Sequence, residues 1–117
     1  MNSELSIAER LFRDGILLDL QGDLTMKAEE TLLKWRDWEN GMEGRSRLVL
    51  NFNGVDYVNS AGIAILIRLA HAAQQAGFSL YGFGINAHYQ RMFRLIGLTD
   101  FLTIYPDEYS LMLKLQG

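Results

Sequence analysis

The hydrophobic and polar positions of this chain fall into short apolar runs separated by longer amphipathic stretches. Residues 4–12 (ELSIAERLF) alternate loosely, and Ile16-Leu17-Leu18-Asp19-Leu20 is a nearly continuous apolar run. Asp14-Gly15 between two such runs is a hairpin signal, so the pattern predicts two antiparallel strands. The first is expected at an edge, because Glu9, Arg10 and Arg13 interrupt it. Gln21-Gly22-Asp23-Leu24-Thr25 leaves the second strand. Thr25 suits an N-cap, with Glu29 and Glu30 in the first turns, where the helix dipole favours carboxylates. The predicted helix runs to about Glu39, with Ala28, Leu32, Trp35 and Trp38 on one stripe. Gly41 and Gly44 close it.

The next block, Arg47 to Ala70, organises the rest. Leu48-Val49-Leu50-Asn51-Phe52 is a buried strand ending at Asn53-Gly54. Ala61 to Ala70 is apolar on almost every side, so that helix is enclosed by protein. Asn59-Ser60-Ala61-Gly62 lies between them, and the core strand thus delivers a serine to the start of a buried helix. Such a start has unpaired N–H groups and partial positive charge, a favourable field for an anion at Ser60. Either Asn59 or Ser60 can serve as the cap.

Beyond Gly77, a C-terminal cap for that helix, Phe78 to Phe83 predicts the next strand. Asn86 caps a third helix, in which Tyr89, Phe93 and Ile96 share a face, and Gly97 closes it. Phe101 to Tyr105 is a last strand before Pro106. Asp107 caps a final helix through about Leu115, with Tyr109, Leu111, Met112 and Leu115 available for packing. The order ββαβαβαβα predicts an α/β fold: a mixed, mostly parallel sheet of about five strands, an antiparallel N-terminal edge and about four packed helices.

Composition narrows the chemistry. The 117 residues suffice for one domain, 1–117, with a real core. No cysteine is present, which excludes disulfides and thiolate metal sites. A net charge of −3 argues against nucleic acid as a direct partner. The N-terminus has neither signal- nor transit-peptide character, and the longest apolar stretch is far too short to span a membrane. The expectation is a cytoplasmic protein with no membrane insertion. The two histidines, His71 and His88, lack partners at metal-ligand or catalytic spacing, so no metal, cofactor or enzymatic activity is expected. Val58-Asn59-Ser60-Ala61-Gly62 lacks the first glycine of a nucleophile elbow. Gly82-Phe83-Gly84-Ile85-Asn86-Ala87 matches the glycine pattern of dinucleotide sites, after a strand and before a helix. Too little chain follows for the second half of such a fold, so a nucleotide-binding role for Gly82 to Ala87 is the weaker alternative.

Three segments, in order and on the predicted elements, resemble the STAS domain family, the bacterial anti-sigma-factor antagonists. Gln21-Gly22-Asp23-Leu24-Thr25 resembles its G-E-L-D stretch. Leu48 to Phe52 followed by Val55-Asp56-Tyr57-Val58-Asn59-Ser60-Ala61-Gly62-Ile63 resembles its strand and F-x-D-S-S/T-G-L segment. Arg91 to Phe101 resembles its closing L-x-x-x-G-L segment. The resemblance implies a non-enzymatic switch in transcription regulation. Ser60 falls on the serine that a partner anti-sigma factor, a serine kinase, phosphorylates, and a phosphatase would reset it. Asp23, Thr25, Tyr57, Val58, Asn59, Ala61, Gly62 and Ile63 would form the partner surface around it. A homodimer is left open. Asn59 and Thr25 stand where the family has Asp, and Ala61 replaces a second hydroxyl residue. Those departures keep open a phosphorylation-independent scaffold, or a small subunit of a lipid-transport or signalling complex.

Overall fold

A computed structural model describes residues 3–116. Five strands form one sheet in chain order: β1 (Ser6–Phe12), β2 (Gly15–Leu24), β3 (Arg47–Val58), β4 (Ser79–Phe83) and β5 (Leu102–Tyr105). β1 and β2 are antiparallel, and every later pairing is parallel. Three α-helices follow β3, β4 and β5: α1 (Ser60–Ala76), α2 (Ala87–Leu95) and α3 (Glu108–Gln116). The mixed sheet with its antiparallel edge is the predicted architecture.

The period-two pattern of the strands decides which side chains go where. Ile16, Leu18, Leu48, Leu50, Phe52 and Leu80 point to one face and pack under α1 and α2 with Leu66, Leu69 and Phe93. Leu17, Val49 and Phe83 point to the other face and are covered by Leu111 of α3. Both faces of the central strands are buried over Ile16 to Leu18 and Leu48 to Leu50, which is why those runs are continuously apolar.

The hairpin forms one residue earlier than the Asp-Gly signal suggests. Phe12 pairs with Gly15, so Arg13 and Asp14 make the turn and Gly15 is the first paired residue of β2. β3 also departs from expectation, running through Asn53-Gly54 to Val58. Two irregularities in the β2–β3 register allow this continuation. A Cβ at Gly54 would lie 2.8 Å from the Leu20 carbonyl oxygen, so this glycine permits close strand approach instead of a turn.

The expected helix from Thr25 to Glu39 is broken. A five-residue π-helix (Glu29–Leu33) and a 3-10 turn (Trp38–Asn40) replace it. Thr25 contributes only its carbonyl, which accepts from the Ala28 N–H, and its side chain caps nothing. Trp38 explains the break. It is buried against Phe78, with ring centroids 6.1 Å apart, and its indole N–H donates to the Leu32 carbonyl at 2.9 Å. The same carbonyl also accepts the Trp35 N–H at 3.2 Å, in the tight turn that follows the π-helix. Trp35, on the expected stripe, is left partly exposed, as are Ile96 and Tyr109. Local caps elsewhere are as read: Asn86 accepts from Tyr89 N–H, Asp107 from Ser110 N–H, and Gly77 ends α1 in the left-handed conformation.

One ion pair ties the edge to the last helix. The Arg10 guanidinium donates to Asp19 at 2.7 and 2.8 Å and to both Glu108 oxygens at 3.0 Å. The hydrogen bond from Arg10, helped by Asn51, holds the Asp19 carboxyl below its ordinary pKa. A carboxyl lowered by folding stabilises above its unfolded value, roughly pH 4, and that stabilisation is lost as pH falls through the folded value. Asp19→Asn should therefore be less stable than the parent at neutral pH. In urea melts that difference should close progressively below about pH 4. A difference of equal size at pH 7 and at acid pH would show that the pair contributes nothing through charge.

Candidate functional site

Everything the sequence assigned to a partner surface meets where β2 and β3 end and α1 begins. Asp23 pairs with Tyr57 and Leu24 with Val58 in register. The Asn59 N–H then donates to the Leu24 carbonyl at 3.2 Å, which ties the start of α1 to the end of β2. Asn59 is the N-cap: extended backbone, with its side-chain oxygen accepting from Gly62 N–H at 2.9 Å. Ser60 is the first residue inside the helix, and its side chain is exposed. Ser60 and Ala61 N–H groups have no partner within the helix, and no carboxylate occupies the first turn of α1.

Gly62 is buried where α1 meets β2. A Cβ there would overlap the Leu24 carbonyl oxygen, and it would also lie 2.7 Å from the Leu24 carbonyl carbon. The close approach of helix to strand therefore requires glycine.

The partner-surface residues divide into two groups. Ser60 and Tyr57 are exposed, the latter by 46%, and Thr25, Asn59, Ala61 and Ile63 are half-buried. Asp23, Val58 and Gly62 are buried and lie beneath the exposed members of the set. Asp23 is 7% exposed, and its backbone N–H donates to the Ser3 carbonyl while its carboxylate accepts from Ser3 N–H. The alternation that brings Tyr57 outward turns Val58 inward, beneath α1 and α2. A further apolar group was not anticipated: Met26, in the turn after β2, is 71% exposed. The sequence placed it in the first turn of the expected helix, and the absence of helix there leaves it in a turn.

One residue outside the expected set holds the loop. Tyr89 of α2 accepts a hydrogen bond from Val58 N–H at 3.0 Å. The space beside it is about 10 Å³, lined by Phe52, Val58, Ile85 and Tyr89, among others, which is barely room for one water. Tyr89→Phe should leave that buried N–H unsatisfied and cost about 1 kcal/mol. Equal denaturation midpoints for the two proteins would rule out this anchoring role.

Gly84, Ile85 and Asn86, from the glycine-patterned segment, line the same small space. Gly84 has φ 76°, and a Cβ there would meet the Asn53 backbone nitrogen at 3.0 Å. The Gly82 to Ala87 segment is a tight turn and a helix cap. Among the described residues no group of three His, Cys, Asp or Glu is placed to hold a metal ion. No described helix is long and apolar enough to cross a membrane.

Comparison with known proteins agrees with this architecture. The family model of the STAS domain matches residues 8–111. An anti-sigma factor antagonist from Mycobacterium paratuberculosis is 16% identical with a TM-score of 0.74, covering 97% of this chain and 95% of its own. The anti-sigma factor antagonist SpoIIAA in its unphosphorylated form is 11% identical with a TM-score of 0.73, covering 97% and 98%. The murine anion transporter Slc26a9 is 18% identical with a TM-score of 0.74, but the match covers 92% of this chain and only 18% of the transporter. At these identities each likeness speaks to the fold alone, whereas the family match spans nearly the whole sheet and its helices. The chain belongs to the STAS domain family.

Proposed function

We propose that this protein is a cytoplasmic, non-enzymatic anti-sigma-factor antagonist, switched by phosphorylation of Ser60. The observation that carries the reading is an exposed serine on the first residue of the 17-residue α1, which follows the end of β3 that presents Tyr57, with Met26 exposed in the turn after the neighbouring β2. In this reading the partner is an anti-sigma factor with serine kinase activity. Its ATP site does the phosphoryl chemistry, and the present chain supplies only the acceptor hydroxyl and the docking surface. A phosphatase restores the hydroxyl.

The geometry bears on the Asn59 departure. Asn59 performs the capping that a carboxylate would perform at this position, because only its side-chain oxygen is used. The loop is thus shaped without a negative charge next to Ser60. A phosphate there, carrying roughly −1.5 to −2 charges, meets the positive end of α1 and no acidic neighbour in the first turn.

Affinity capture with Ser60→Ala as bait, followed by incubation of the parent with the captured partner and ATP, tests the reading. Phosphate on Ser60 by mass spectrometry, with loss of the complex, is the expected result. Retention of the partner after complete phosphorylation, or by Ser60→Asp, would instead favour the phosphorylation-independent scaffold that Thr25 and Asn59 leave open.

A further inference from the structure

The break in the expected helix leaves a hollow behind it. A cavity of about 440 Å³ lies between residues 33–39 and the Arg68–Ala72 turn of α1, within the size range of small-molecule sites. Lys34, Arg36 and Arg68 line it together with Asp37 and Glu39. Lys34 and Arg68 are held in ion pairs, with Glu30 at 2.9 Å and Glu29 at 3.2 Å. Arg36 is held differently. Its nearest carboxylates, Glu9 and Glu43, are 3.8 and 4.0 Å away, beyond hydrogen-bond distance. Its Nε is covered from solvent and bonded to nothing. Beneath the guanidinium, 5.8 Å from its centre, is the ring of Trp38, fixed by burial and by its bond to the Leu32 carbonyl. A rigid aromatic floor therefore carries a guanidinium with unused donors, next to two further cations.

We propose that this cavity binds a small phosphorylated polyol. The Arg36 guanidinium turns on the Trp38 floor and takes the phosphate through two parallel N–H donors, a geometry that suits Arg over Lys. Lys34 and Arg68 add charge, and the Asp37 and Glu39 carboxylates accept hydrogen bonds from the polyol hydroxyls. The site uses none of the residues around Ser60, so it stands or falls independently of the switch.

Ribose 5-phosphate titrated into the full chain, followed by NMR of the backbone amides and the Trp38 indole N–H, tests it. Saturable shifts centred on residues 34–39 and the indole are expected. Arg36→Met should weaken binding at least tenfold at an unchanged melting temperature, and Arg68→Met, which carries the test if Arg36→Met does not fold, should weaken it as well. Inorganic phosphate should bind at least tenfold more weakly than the sugar phosphate. The proposal is overturned by the absence of saturation, by shifts centred on Asn59 to Gly62, by undiminished binding in the folded variant, or by inorganic phosphate binding as tightly as ribose 5-phosphate.

Discussion

Gly62→Ala is expected to cost the fold about 3 kcal/mol, the upper end of the usual penalty for overfilling a packed site. The reason is what the added carbon would strike. Most overpacking is relieved by a side chain changing rotamer, but here the obstacle is the Leu24 carbonyl, part of the backbone of β2. That carbonyl also accepts the Asn59 N–H, so displacing it disturbs the cap as well as the strand. Either α1 lifts from the sheet or the end of β2 moves, and both expose apolar surface under Leu66 and Leu69. For a domain of this size the melting temperature should fall by roughly 10 °C. Urea denaturation of the two proteins measures the difference. A change below about 0.5 kcal/mol, the level of an ordinary surface substitution, would mean that the helix start is loosely seated.

If the proposed function holds, Ser60→Asp is expected to weaken binding of the proposed anti-sigma partner about a hundredfold while leaving the fold nearly untouched. Exposed positions away from caps and packing usually tolerate substitution within about 0.5 kcal/mol. A carboxylate on the first helical residue is, if anything, favoured by the dipole. The partner meets it differently. A charge desolvated without a new cation costs several kcal/mol, and a net penalty of about 3 kcal/mol is a hundredfold at 1.4 kcal/mol per decade. Ser60→Ala should bind constitutively, and both variants should melt within a few degrees of the parent. Titration calorimetry against the captured partner gives the affinities. Equal binding by Ser60→Asp and the parent would reduce Ser60 to a surface residue of the first turn.

The parts of this fold legible in the sequence are those fixed by local chemistry. Asn86, Asp107 and Gly77 act at helix ends as short-range rules require, and the runs at Ile16 to Leu20 and Leu48 to Phe52 are the buried central strands. What escaped was decided by distant contacts. Gly54 looks like a turn residue until β2 lies against it. Trp38 looks like the end of a helical stripe until it docks on Phe78 and donates to the Leu32 carbonyl. The candidate site shows the same division. Ser60 at the start of a helix was legible, but the inward turn of Val58, the tethering of Asp23 to Ser3 and the support from Tyr89 depend on how three separate elements meet.

The order of the strands across the sheet has a consequence for what α3 alone must cover. Because each strand joins beside the one before it, growth proceeds in one direction, and right-handed crossovers in one direction place α1 and α2 on the same side. Nothing made before Tyr105 reaches the opposite side in force. Without α3 the sheet would keep the core beneath α1 and α2, yet Leu17, Val49 and Phe83 would lie open. The last nine-residue helix closes that face, with Leu111 as its fully buried member. A form of the molecule with α3 detached would be a half-covered sheet with an exposed apolar side, the kind of species that is prone to aggregate.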